Sequence, residues 1–222
     1  MTFIEELRKD AKRLAIINVV LQTAYIALAL FAVGLFLSNQ SHFRIKGFTA
    51  FLSIIGFPLF GVLFVFWLQF LDKLKRSYED NHNVLNAVRM GRVAIWFKIA
   101  YLVVGIFASL ILVNKNGLMQ LSITAKDFGL EPSGGAGIIC EALLIVNTCF
   151  SAFMYLLFAD ASERKSEIRI IALALALLTI VYYTWNANAD NITIGILQHV
   201  LFIGESMFLW RIYKGDTFID NK

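Results

Sequence analysis

Lys98, Glu141 and Glu205 lie inside long apolar runs of this sequence, and His199 joins them as a titratable group. Charge inside a membrane span is costly, and by default it marks a pathway, a relay or a pairing site. Lys98 lies about six residues past the start of its run and Glu205 about six before Arg211 at the end of its own, which in antiparallel helices puts both about 9 Å from the same side. Opposite charge at a shared depth predicts a Lys98–Glu205 pair between two helices. A low dielectric strengthens its attraction, while desolvation offsets part of the gain. The competing arrangement is a lysine that buries its stem and carries its ammonium out to the polar boundary. Glu141 and His199 fall toward the opposite end, where a carboxylate and an imidazole could relay a proton. A histidine facing neighbouring backbone is the plainer alternative.

Uncharged polar residues extend these positions along helix faces. Asn18, Gln22, Tyr25 and Ala29 share one face, Glu141, Thr148, Ala152 and Tyr155 a second, and Gln198 and Glu205 a third. Lys98, Gly105 and Ser109 make another, and Ala172, Ala176, Thr179 and Tyr183 the last. The pathway candidates are therefore Lys98, Glu205, Glu141, His199, Gln198, Asn18 and Gln22. Ordinary bundle packing is the competing account, because small and weakly polar residues join membrane helices.

Other chemistry is not encoded in recognisable form. There is no His-Glu-x-x-His, Cys-x-x-Cys or Gly-x-Ser-x-Gly. The three histidines and two cysteines suggest no metal or cofactor site. Cys140 and Cys149 fall about 13 Å apart along one helix, too far to pair with each other. The run Glu131-Pro-Ser-Gly-Gly-Ala-Gly137 lacks the Gly-Lys-Ser of a phosphate cradle and reads as a turn into a helix, with Ser133 as its cap. Catalytic, cofactor and metal residues are left unassigned.

The elements that must position these residues are helices in a membrane. The chain is 59% hydrophobic and 16% charged, against roughly half and a quarter in soluble domains. Apolar runs of about 20 residues, each enough to span the hydrocarbon core, occur at 14–38, 48–71, 92–114, 136–158, 168–187 and 191–213. Their length and continuity favour helices over the alternating strands of a barrel. The expected fold is all-α, a polytopic bundle of six spans. Residues 1–13 form an amphipathic lead-in helix begun by the capping box Thr2-Phe-Ile-Glu5, and 214–222 a short tail. Gly56, Pro58 and Gly61 predict a kink in the second span. The stretch from Asp72 to Gly91 reads as the longest connecting loop.

Basic residues give the orientation. Arg8, Lys9, Lys12 and Arg13 precede the first span, and Lys73, Lys75, Arg76, Arg89 and Arg92 follow the second. Arg164, Lys165 and Arg169 follow the fourth, and Arg211, Lys214 and Lys222 end the sequence. The other side has only Arg44, Lys46, Lys115 and Lys126. The positive-inside rule then places both termini in the cytoplasm of a cell with the chain in its plasma membrane, expected to be a bacterial inner membrane. Topology thus explains the sequence pI near 9.1, and no nucleic-acid partner is expected.

In length and span number the chain is similar to six-span substrate-binding subunits of vitamin transporters, a likeness of architecture that carries no function. Two functional readings follow. One is a carrier or channel-like protein for a small solute, ion or proton, using Lys98 with Glu205 and Glu141 with His199. The other is a non-catalytic interaction protein, such as a regulator, immunity protein, assembly factor or accessory subunit, binding a membrane partner or its own copies. No constellation supports an enzyme.

Overall fold

The computed structural model describes residues 3–37, 61–116, 135–186, 191–215 and 218. Six helices account for nearly all of them: α1 (Phe3–Leu37), α2 (residues 61–77), α3 (His82–Asn116), α4 (Gly135–Asp160), α5 (Glu167–Asn186) and α6 (Asn191–Lys214). Gly56, Pro58, Ser133 and the Thr2 cap lie outside the described residues, as do the side chains of Gln198, Tyr25, Ala29, Gly105 and Ser109.

Each helix follows its neighbour in an antiparallel run. α3 packs on α4, α4 on α5, α5 on α6, and α6 returns to α1. Ion pairs fix one common end: Asp10 of α1 to Lys73 of α2 at 2.5 Å, Asp72 of α2 to Arg92 of α3, and Glu167 of α5 to Arg211 of α6 at 3.0 Å. Asn83 Nδ2 adds a bond to Asp160 Oδ2 at 2.7 Å, joining α3 to the end of α4.

The expected loop from Asp72 to Gly91 is mostly helix. α2 continues to residue 77, a short turn follows, and α3 starts at His82. The cause is a buried stripe, Leu71, Leu74, Tyr78, Val84, Ala87 and Val88, that packs into the core while Lys75, Arg76 and Arg89 remain outside. Asn81 starts α3 by accepting the Val84 N–H on Oδ1 at 3.0 Å, satisfying a donor that the first turn leaves open.

The main core gathers at this basic end. Phe158 lies 5.3 Å, ring to ring, from both Phe208 and Phe218, and Phe218 meets Tyr78 edge-on at 5.3 Å. Phe218 reaches its place because α6 stops at Gly215. The Gly215 N–H bonds back to the Arg211 and Ile212 carbonyls, and its φ of +109° is a conformation that a side chain would strain. The chain then pairs Phe218 with Ser162 in an isolated antiparallel bridge.

The outward faces change character at a common level. On α1, exposed Glu5, Lys9 and Arg13 give way to exposed Ile16, Val19 and Val20. On α2, exposed Val62 and Val65 precede Lys75 and Arg76; on α3, Arg89 precedes Trp96 and Val103. On α4, Phe153 and Leu156 precede Asp160, and on α5, Glu167 precedes Ile170, Leu173 and Leu177. On α6, Ile203, Met207 and Trp210 precede Lys214. Beyond the charged rim the outward described residues are therefore mostly apolar, with Glu141 an exception.

Among the described residues, Gly137–Asp160 and Glu167–Thr184 are long and apolar enough to cross a membrane, with mean hydropathies of 2.0 and 1.7. Only about a third of each is buried in the protein (33% and 28%), so neither is a core helix hidden from solvent. The runs expected at 14–38, 48–71, 92–114 and 191–213 include residues or side chains outside the described set.

Candidate functional site

A partly open cavity of about 110 Å³ lies among α2, α3, α4, α5 and α6. A smaller hollow of about 60 Å³ adjoins it and shares Phe64, Lys98, Asn147, Ser151, Tyr155, Phe202 and Glu205. The polar lining comes from positions where apolar helices turn an inward residue toward their neighbours: Lys98 on α3, Asn147, Thr148, Ser151 and Tyr155 on α4, Thr179 and Tyr182 on α5, and Glu205 on α6. Phe64, Tyr101, Leu102, Leu144, Leu201 and Phe202 complete the wall.

Several of these groups are already committed. Thr148 and Thr179 donate to the carbonyls of Leu144 and Leu175 in their own helices, at 2.8 and 2.7 Å. Asn147 Nδ2 donates to the Ala94 carbonyl at 2.7 Å, tying α4 to α3 beside the cavity. Tyr155 donates its hydroxyl to Glu205 Oε1 at 3.2 Å, which anchors the carboxylate from across the site.

Lys98 and Glu205 line this cavity together, but they are not within ion-pair distance. The direct pair expected from their depth is replaced by two other arrangements. Glu205 takes the Tyr155 hydroxyl. Lys98 places its Nζ over the rings of Phe64 and Phe202, 5.6 and 5.7 Å from their centroids. An ammonium between ring faces gains electrostatic attraction from both quadrupoles. The lysine thus turns toward the cavity wall between α2 and α6 instead of closing on the acid.

The remaining sequence candidates fall elsewhere. Asn18 is fully buried between α1 and α6, where Nδ2 donates to the Phe202 carbonyl at 3.3 Å and Ser206 Oγ at 3.1 Å. It supports the α6 segment carrying Phe202 and Glu205 without lining the cavity. Gln22 is half-buried on α1. Glu141 is exposed on α4 and His199 half-buried on α6, and neither lines the cavity. Among the described residues no group of three or more His, Cys, Asp and Glu side chains could hold a metal.

Sequence reasoning placed Tyr155 and Thr148 on a polar face but assigned them no part in a site. It passed over Ser151, Phe64 and Phe202. Ser151 lies one turn from both Asn147 and Tyr155, so the i, i+4 pattern on α4 was the available signal. For Phe64 and Phe202 there was none, since a phenylalanine in a span is ordinary.

The site offers a cation with open donors, an anchored carboxylate, a serine hydroxyl and aromatic walls, a set suited to binding and without a nucleophile–base pair. No protein-family model, curated protein or solved structure matches the chain.

Proposed function

We propose that the chain is an integral membrane bundle of six spans that carries a small solute or ion through the Lys98–Glu205 cavity, with both termini cytoplasmic, in a bacterial inner membrane. The observation that carries this reading is one cavity, reached by five helices, in which a lysine and a glutamate face a common space without pairing. Intramembrane charges of this kind mark solute and ion routes. During a transport cycle Lys98 and Glu205 exchange between solute and each other. The membrane placement is supported by the switch from charged to aliphatic outward residues on all six helices. An exposed apolar surface of that extent is a liability in water and ordinary in lipid. The orientation is supported by the basic rim at the joined helix ends.

A second reading rests on Glu141. It is exposed on α4 beside exposed Ile138 and Ile145. A carboxylate facing lipid is costly, and a helix from a membrane partner or a second copy would cover it.

Mass spectrometry on protein purified with its native lipids separates the two. A bound small molecule that disappears in a folded Glu205→Gln variant is the carrier result. A stoichiometric membrane protein released by Glu141→Gln, with no small molecule, is the interaction result and removes the carrier reading. Reporter fusions at both termini test the orientation: a signal from outside the cytoplasm at either end sinks it.

A further inference from the structure

We infer that the cavity receives a small zwitterion, a molecule with one carboxylate and one ammonium group, its carboxylate at Lys98 and its ammonium at Glu205. This rests on the carrier reading and names the class of its solute.

The first argument is the state of Lys98. An ammonium has three hydrogen-bond donors. Among the described residues Lys98 makes neither an ion pair nor a hydrogen bond; its ammonium lies over the ring faces of Phe64 and Phe202, and Glu205 faces it across the cavity without pairing. Rings attract the charge but accept no conventional N–H···O bond, so the donors stay available to a carboxylate. The second argument is Glu205, which Tyr155 fixes in place at 3.2 Å. A fixed carboxylate is an oriented acceptor for a cation.

Other occupants fit less well. A simple anion at Lys98 would face the Glu205 carboxylate, and a simple cation at Glu205 would face the Lys98 ammonium. Each is penalised by like charge across one small space. A neutral apolar molecule would displace water from both groups and return no partner to either. A zwitterion satisfies both at once. Ser151 lines both hollows, makes no hydrogen bond among the described residues, and stands ready as a third polar contact. The apolar wall of Tyr101, Leu102 and Leu144 accommodates a short carbon stem.

Size is compatible with the class. A cavity of about 110 Å³ holds on the order of seven to ten waters at about 10–15 Å³ of accessible space each. A small amino acid fits there with room for water beside it.

The test is a binding panel on the full chain in lipid nanodiscs, read by calorimetry. Glycine and β-alanine are the zwitterions, propionate and propylamine the singly charged probes, and propionamide the neutral one. A zwitterion should bind at least about 10-fold more tightly than any of the other three, the factor expected for one added charge-assisted hydrogen bond. Lys98→Gln and Glu205→Gln should each lose about 10-fold or more for the zwitterion with helicity and melting unchanged. Under Lys98→Gln propylamine should gain on the zwitterion, and under Glu205→Gln propionate should. The wild-type ranking decides the matter even where a variant fails to fold. Propionate or propylamine binding as tightly as either zwitterion overturns the inference. Failure of both zwitterions, with a neutral native solute that Glu205→Gln releases, overturns it and leaves the carrier reading standing. Absence of any small molecule, native or added, removes both.

Discussion

One helical turn separates two unlike levels of this bundle. At the lower level Phe158 of α4 meets Phe208 of α6, ring to ring at 5.3 Å, and stacks with Phe218 at the same distance. At the upper level the same helices present Tyr155 and Glu205, joined by one hydrogen bond beside a cavity. Tyr155 belongs to both, since its ring meets Phe208 edge-on at 5.9 Å. The difference teaches how a polar cavity can persist between apolar helices. Bulky aromatic rings set the spacing of α4 and α6 below, and the short Ser151 and Thr148 higher on α4 do not fill what that spacing leaves. Packing at one level therefore keeps open the space at the next.

The sharpest attempt to break this comparison is Phe158→Ala. Removing a ring with no exposure from the aromatic cluster should cost about 3–5 kcal/mol. It should also collapse the cavity, so thermal melting and solute binding should fail together. Intact binding in a destabilised variant would show that the lower level does not hold the upper one. Next comes Gly91→Val. An added Cβ there would stand 2.5 Å from Met154 Sδ and 3.1 Å from Leu71 Cδ1, so the Met154 side chain must shift or α3 must move from α4 and α2. Overpacking of this kind costs about 1–3 kcal/mol, measurable as a lower denaturation midpoint.

Tyr155→Phe sharpens the boundary. It keeps the ring on Phe208 and strips the donor from Glu205, a loss of about 1–3 kcal/mol from an acceptor left short of a partner. Binding should weaken more than melting falls; equal losses would make Tyr155 a packing residue alone. Lys98→Met should leave stability level or slightly raised, because it removes an ammonium that has no ion pair, while abolishing solute binding. A large fall in melting temperature would mean that the lysine holds the fold. The smallest effect is expected at the basic rim. Asp10→Asn breaks a partly exposed pair with Lys73, for about 0.2–1 kcal/mol, and the loss should shrink as salt rises.

The all-helical fold could be read from apolar run length, because runs of about 20 residues without period-two alternation are helical in pattern. Two of the expected spans are long and apolar enough among the described residues. Rise per residue also made it readable that Lys98 and Glu205 share a level of the bundle, where both line one cavity. Rotation and spacing between helices are another matter. Whether Lys98 met Glu205 or two phenyl rings depended on how α2 and α6 sit against α3, which no single helix encodes. Glu141 illustrates the same limit: it shares a helical face with Thr148 and Tyr155, yet it is exposed while they are buried. The stretch from Asp72 to Gly91 was misread for a different reason. Its charges suggested a solvated connection, but the apolar stripe beneath them, Leu74, Tyr78, Val84 and Val88, was already at helical spacing.

The docking of Phe218 has a bearing on the order of assembly. It closes against Tyr78 and Phe158, residues from distant parts of the chain, and it follows α6 in sequence. During synthesis the aromatic lock at the basic end therefore has no third ring until α6 has left the ribosome. The earlier helices are made with Tyr78 and Phe158 already waiting for it. Contacts so far apart are slow to form, because the intervening chain must first give up its freedom. The lock is accordingly a late event, and a nascent chain halted before α6 should still be open to protease at its basic end.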